Sequence, residues 1–279
     1  MRTRFAALVA VAALSLVVDP APAAGLPRLI SMNVCTDQLL LALADPGQIL
    51  GLSRFARDGW QSPAAGDVRR YPVLSGGAED VLLIRPDIVV ASLFDKRSTR
   101  ELLKAKGLRL AELAVPRTLA EARHQIRQAG DLIGHPDRAA AEIARLDAAL
   151  ARARRAAAER RFRVLPVSRR GWVAGSESFV SSLLTEAGLS NAAGDLGFTS
   201  GGFASLEAIV SLRPDFIVVA QAGDHASDDG QAFLLHPALQ RFYPPAKRIV
   251  IPERMMECGG VMLAEALDAL AAELKRVGP

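Results

Sequence analysis

Short apolar runs alternate with amphipathic stretches along most of the chain, a pattern that predicts parallel α/β layers. Arg28 to Met32 reads as a first strand, Thr36 to Ala44 as the helix after it, and Ile49 to Ser53 as a second strand. The segment Asp87 to Ala91 (DIVVA) is continuously apolar after its Asp, as expected of a strand covered on both faces. Ser98 to Lys106 predicts a helix stopped by Gly107, and Leu108 to Leu113 a further strand. The same alternation returns late in the chain. Phe162 to Val167, Phe216 to Ala220 and Arg248 to Ile251 read as strands; Glu177 to Ala187, Phe233 to Phe242 and Val261 to Arg276 read as helical.

Between these halves the period changes. Thr118 and Glu121 are spaced as a capping box for a helix that Gly134 ends. Pro136 opens a second helix where its missing N–H costs nothing. Ile143, Leu146, Leu150 and Ala153 then recur at helical spacing to about Arg161. Roughly 24 residues at 1.5 Å each make a rod of about 36 Å. Its outer face, rich in arginine and alanine, reads as solvated. The expected organisation is a lobe over residues 24–117, a connecting helical segment over 118–161 and a second lobe over 162–279.

An internal repeat supports two similar lobes. Residues 79–90 and 207–218 match in register at an offset of 128, each reading Glu-x5-Arg-Pro-Asp. Glu79 pairs with Glu207, and Arg85-Pro86-Asp87 with Arg213-Pro214-Asp215. A Ser-Gly-Gly precedes each glutamate, at Ser75 to Gly77 and at Ser200 to Gly202.

The first residues change the compartment. Arg2 and Arg4 precede an apolar run from Phe5 to Val18, then Ala21-Pro22-Ala23. About 14 apolar residues fall short of the ~20 that span a bilayer, so residues 1–23 read as a secretory signal peptide cut after Ala23. With no cysteine at that site, no lipid anchor is expected there. The expected product is an exported, soluble protein whose two cysteines, Cys35 and Cys258, meet an oxidising environment.

The 34 Lys and Arg against 30 Asp and Glu give a net charge of +4 and a pI near 9.4. The arginines are spread along the chain, which argues against a nucleic-acid surface. Two cysteines and four histidines without H-x-x-x-H leave little for a bare metal site, and no cofactor is expected. The chain has no G-x-S-x-G elbow, no Walker loop and no G-x-G-x-x-G, so an exported hydrolase or nucleotide enzyme is disfavoured.

Signal peptide, strand-loop-helix opening, paired Glu-x5-Arg-Pro-Asp repeats and connecting helix together resemble the ferric-siderophore and cobalamin periplasmic binding proteins of ABC importers. The likeness runs from about Pro27 to Val277. The opening Ser31-Met32-Asn33-Val34-Cys35-Thr36-Asp37-Gln38 and the late Cys258-Gly259-Gly260 resemble one branch in particular. The resemblance implies an α/β fold of two Rossmann-like lobes with parallel sheets, joined by a single long helix, with a ligand cleft between them. It implies a monomer without catalytic activity that holds a small-molecule chelate and delivers it to an inner-membrane ABC permease dimer. It also implies docking through one exposed acid per lobe, Glu79 and Glu207.

Loops after strand ends face the cleft in such lobes. They nominate Asn33, Cys35, Arg54, Arg57, Trp60 and Ser75 from the first lobe, and Arg169, Arg170, Trp172, Phe198, Arg254 and Met255 from the second. The two tryptophans suit a large planar or greasy ligand, and the arginines an anionic ferric chelate. A ferric siderophore is the leading expectation, and cobalamin the alternative. Haem ranks lower, because neither Tyr71 nor Tyr243 falls at the expected cleft. An exported enzyme or a signalling subunit on the same frame are the readings from other classes. Cys35 and Cys258 sit on cleft-facing loops, either disulfide-bonded to each other or as separate thiols.

Overall fold

In the computed structural model, which describes residues 25–157, 161–220 and 232–277, the seven expected strands and an eighth that the sequence reading did not foresee, Ser190–Asn191, assemble into two four-stranded parallel sheets. The expected signal peptide, His225 and the last residues of the rod before Arg161 lie outside the described residues. The first sheet contains β1 (Leu29–Ser31), β2 (Ile49–Gly51), β3 (Ile88–Ser92) and β4 (Leu110–Leu113), in the order β2-β1-β3-β4. The ribbon strand β6 (Trp172–Ala174) apart, the second lobe repeats this plan. Its sheet contains β5 (Arg163–Pro166), β7 (Ser190–Asn191), β9 (Phe216–Val219) and β10 (Arg248–Val250), in the order β10-β9-β5-β7. The third strand of each lobe lies beside its first. The internal repeat is therefore a repeat of local architecture as well as of sequence.

The Arg-Pro-Asp triplets show why. Helices α2 (Ala78–Ile84) and α7 (Leu206–Leu212) each end at an arginine, and proline then prevents the helix from continuing. Asp87 accepts a hydrogen bond from the backbone N–H of Arg28 at 2.7 Å, and Asp215 from that of Arg163 at 2.8 Å. Each aspartate thus fastens the start of the lobe's third strand to the start of its first. The Ser-Gly-Gly segments are not equivalent. The first is the loop before α2, whereas the second runs into β8 (Gly201–Phe203), which pairs antiparallel with β6.

The remaining helices follow from caps and apolar stripes. α1 (Val34–Leu43) is capped by Asn33, whose Oδ1 accepts from the N–H groups of Cys35 and Thr36 at 3.0 Å each. α3 (Arg97–Ala105) leads to β4, and α6 (Phe179–Glu186) is capped by Ser178. α8 (Pro237–Phe242), α9 (Glu253–Met256) and α10 (Leu263–Arg276) complete the second lobe.

The connection between lobes is a helical hairpin. α4 (Leu119–Ile133) begins at Thr118, whose hydroxyl accepts from the N–H of Glu121 at 3.1 Å, and ends at Gly134 with φ 91°. Glu121 does not close the reciprocal half of the expected capping box. Its carboxylate takes the N–H of Arg117 at 2.6 Å instead. α5 (Pro136–Ala157) is the long connecting helix, 22 residues or about 33 Å.

The arginines of α5 are not simply solvated, contrary to the sequence reading. Arg138 pairs with Asp45 at 2.5 Å, Arg145 with Glu265 at 2.6 Å, Arg152 with Asp268 at 2.7 Å and Arg154 with Glu186 at 2.5 Å. Exposed pairs contribute only ~0–1 kcal/mol each. They do specify how α5 lies on α10 and on both lobes. Beneath them one apolar core runs without a break from Leu29 and Leu40 of the first lobe, through Ile126, Leu146 and Leu150, to Val164 and Leu267 of the second. Each lobe adds a smaller cluster on the far side of its sheet.

Candidate functional site

All strands of each four-stranded sheet run the same way, so each sheet presents one edge of C-terminal strand ends. The two edges meet. Cys35, just after β1, forms a disulfide with Cys258, beyond β10, with Cα atoms 5.0 Å apart. Gly259, at φ 57°, lies against Pro116 beyond β4; a Cβ there would come within 2.9 Å of the proline ring. Only glycine allows that approach. The loops after β1, β4 and β10 therefore form the floor of an interlobe cleft.

In a sheet of this order the crevice lies between the first and third strands, where successive connections leave in opposite directions. In the first lobe that position is spanned by one hydrogen bond, from Asn33 Nδ2 to Asp95 Oδ2 at 2.7 Å. Asp95 Oδ2 also accepts from the N–H of Ser92 at 2.7 Å. Behind this pair the hydroxyls of Ser31 and Thr36 share a 2.6 Å hydrogen bond. Asp37, fully buried, accepts from the N–H of Ser53 at 2.9 Å and from its hydroxyl at 2.6 Å. Burial pushes the Asp37 carboxyl above its ordinary range, against the lowering effect of the serine hydrogen bonds. Gln38 is 4% exposed, and neither polar atom of its side chain has a hydrogen-bond partner among the described residues.

Large apolar side chains stand exposed on these same edges. Phe94, after β3, is 81% exposed, and Leu93 beside it 56%. Trp60, in the loop beyond β2, is 63% exposed. Trp172 lies in a strand, β6, rather than in the loop that the sequence suggested. It meets Phe203 of β8 edge to face with ring centroids 5.0 Å apart, and both residues reach solvent.

The other nominated residues divide. Arg54 is exposed with its guanidinium over the Phe55 ring, 4.6 Å from the centroid. Arg57 is committed to local structure, donating to the carbonyls of Arg69 at 3.3 Å and Tyr71 at 3.1 Å. Ser75 shapes the turn into α2: its N–H donates to Asp80 at 2.6 Å and its hydroxyl accepts from the N–H of Gly77 at 3.1 Å. Arg169 and Arg170 follow β5, with Arg170 held at φ 56°. Phe198 turns inward, where it packs on the second-lobe cluster beneath Gly202. Arg254 and Met255 lie on α9, and Met255 packs on the continuous core. Glu79 and Glu207 sit in the first turns of α2 and α7, both exposed.

Sequence reasoning missed Leu93, Phe94 and Asp95. Their signal was present: Ser-Leu-Phe-Asp follows the DIVVA strand, placing two apolar residues past a strand's C-terminal end. No group of three or more His, Cys, Asp or Glu among the described residues is arranged to hold a metal ion, and no described helix is long and apolar enough to cross a membrane.

Comparison with known proteins agrees with this architecture. Residues 29–248 match the family model described as periplasmic binding protein. Cobalamin-binding proteins from two strains of Halobacterium salinarum are 27% identical over 224 residues, 77% of this chain. The chain spans 59% of the length of those relatives. Among solved structures, the apo periplasmic heme-binding protein of Roseiflexus sp. RS-1 superposes with a TM-score of 0.71 at 24% identity, covering 91% of this chain and all of the other. An ABC-type Fe3+-hydroxamate transport protein of Saccharomonospora viridis superposes at 0.66 with 20% identity, covering 89% of this chain and 93% of the other. At these identities the superpositions establish the fold.

Proposed function

This chain belongs to the periplasmic binding protein family, and from that premise we propose that it captures a bulky metal chelate for an ABC importer, a corrinoid of the cobalamin type. The observation that carries the ligand reading is the set of exposed rings on the strand-end edges of both lobes: Trp60 and Phe94 on one, Trp172 and Phe203 on the other. Exposed rings that stand together, as Trp172 does with Phe203, form the kind of apolar patch that marks a binding surface, and flat rings suit the face of a macrocycle. The likeness to cobalamin-binding relatives supports the same reading.

A ferric siderophore is the second reading. It is favoured by Arg54, Arg170 and Arg254, which would attract an anionic chelate. The commitment of Arg57 to backbone carbonyls weakens it. Haem stands behind both. Tyr71 and Tyr243 are buried in the cores, 5% and 3% exposed, so neither side chain reaches a ligand in the cleft. His135 is bonded to Gln48 at 3.1 Å, and His236 caps α8. No cofactor of the protein's own enters this reading.

Export by residues 1–23 to the periplasm and delivery to a permease dimer complete the proposal, with Glu79 and Glu207 as the docking acids. The test is titration of the exported chain, residues 24–279, followed by tryptophan fluorescence and calorimetry. Cyanocobalamin, a ferric hydroxamate, a ferric catecholate, ferric citrate and haem make up the panel. Saturable binding of cyanocobalamin at micromolar concentration or tighter is expected. Binding of a ferric chelate alone would replace the corrinoid reading with the second, and no binding from the whole panel would overturn both.

A further inference from the structure

We propose that Asn33 and Asp95 form a two-pronged reader for a carboxamide on the edge of the ligand; the inference rests on the corrinoid reading above and deepens it.

The orientation of the Asn33 amide is set by its partners. Oδ1 faces the α1 N–H groups of Cys35 and Thr36, so Nδ2 is the atom turned toward Asp95. One of its two hydrogens goes to Asp95 Oδ2, and the second has no acceptor among the described residues. Asp95 Oδ2 is filled by Asn33 and by the N–H of Ser92, while Oδ1 accepts nothing from the described residues. Both residues reach solvent at the crevice between β1 and β3. The pair therefore offers one N–H donor and, beside it, one charged acceptor. A primary carboxamide has the matching pattern: its oxygen accepts from Asn33 Nδ2 and its nitrogen donates to Asp95 Oδ1. A carboxylate in the same place meets Asp95 with like charge and no proton to share. The exposed Leu93 and Phe94, next to Asp95 on the same loop, supply the apolar wall that an otherwise greasy ligand needs. Corrinoids of the cobalamin type carry carboxamides around a broad ring, whereas haem carries carboxylates.

The prongs are rigid before any ligand arrives. Asn33 is fastened to the first turn of α1, and the Asp95 N–H donates back to the Ser92 carbonyl at 3.2 Å. A prepaid geometry of this kind favours discrimination over mere affinity.

Cyanocobalamin and its singly hydrolysed derivatives, each with one carboxylate in place of a peripheral carboxamide, test the inference by calorimetry. In the wild-type chain one derivative should bind about tenfold more weakly than the parent, or worse, since a hydrogen bond to a charged group is replaced by repulsion. Asp95→Asn should reverse that ratio. With the oxygen of the introduced amide taking the place of Oδ2, the amide nitrogen stands where Oδ1 stood, and the pair becomes two donors suited to a carboxylate. Asn33→Asp retains a helix-capping oxygen but removes the donor, so it should weaken the parent about tenfold. Melting curves of each variant check the fold. A merely structural role for the pair moves stability and leaves the ratio unchanged. If cyanocobalamin binds tightly and no derivative is discriminated, or Asp95→Asn leaves the ratio as it was, the inference is overturned while the corrinoid reading stands. If no corrinoid binds the wild-type chain, both fall.

Discussion

Arg85 and Arg213, 128 residues apart, share one left-handed backbone conformation, with φ of 51° in each and ψ of 62° and 53°. Each ends the helix that carries a repeat glutamate, and each precedes the proline and aspartate that start the lobe's third strand. Left-handed geometry costs a side-chain-bearing residue roughly 1 kcal/mol, and helices commonly finish with glycine there. Arg85→Gly and Arg213→Gly should therefore each leave stability unchanged or raise it by up to about 1 kcal/mol. Arg85→Val and Arg213→Val should lower it. Denaturant unfolding of the four variants decides, and a loss on the glycine changes would mean that the arginine side chains themselves hold the turns.

How far such features could be read from the sequence depended on how local their causes are. The Arg-Pro-Asp turns were legible because proline ends a helix within a few residues of itself, although the partners of their aspartates, Arg28 and Arg163, are distant in sequence. Thr118 and Gly134 likewise act locally, at the ends of α4. The β6–β8 ribbon was not legible, since Gly201-Gly202-Phe203 reads as a turn until Trp172-Val173-Ala174 pairs with it. Asp95 was missed because its partner, Asn33, lies 62 residues away and meets it only once β1 and β3 are neighbours. The arginines of α5 looked solvated because Glu265 and Asp268 are distant in sequence and face them only when α10 packs along the helix.

The Cys35–Cys258 bond closes a loop of 223 residues between the two lobes. Restricting so long a loop in the unfolded chain carries an entropic value of about 5 kcal/mol, of which native disulfides deliver about 2–5 kcal/mol. Cys35→Ser with Cys258→Ser should lower stability by that amount, or melting by roughly 5–15 °C. The interlobe core should keep the lobes together, so hydrogen exchange should quicken chiefly around the cleft floor near Pro116 and Gly259. Unchanged melting would show that the bond adds nothing to the core.

Glu79 and Glu207 offer a test that separates docking from capping. As helix-first-turn acids each favours its own helix by about 0.3–1 kcal/mol. The Glu207 carboxyl is held below its usual range by its own backbone N–H, with the Ser205 hydroxyl and nearby His236 adding to the effect. If both meet cations on a permease, Glu79→Ala with Glu207→Ala should abolish transport in a reconstituted importer while ligand affinity stays within about twofold. A lost charge pair at an interface costs about 2–5 kcal/mol, far more than a cap. Gln at both positions should fail in transport as Ala does, because charge is the shared property removed. Normal uptake by either double variant would leave the acids with a capping role alone.

Asp37 makes stability depend on pH in an unusual direction. Its folded carboxyl is raised by burial, so the folded chain holds this proton more tightly than the unfolded chain does. As pH climbs past the ordinary aspartate value of about 4, the unfolded chain loses the proton first. Stability from this site therefore falls with rising pH until the folded carboxyl has also ionised, then levels off. Asp37→Asn removes the ionisation while keeping an oxygen for the Ser53 N–H and a nitrogen that can donate to the Ser53 hydroxyl. Relative to wild type, the variant should gain stability as pH rises from about 3 to neutrality. Denaturant unfolding along a pH series measures the difference directly. A difference that stays constant across pH would mean that folding leaves this carboxyl's hold on its proton unchanged. A variant that loses ground as pH rises would mean that the serine hydrogen bonds favour the charge and that a buried carboxylate is the preferred occupant of this position beneath the cleft.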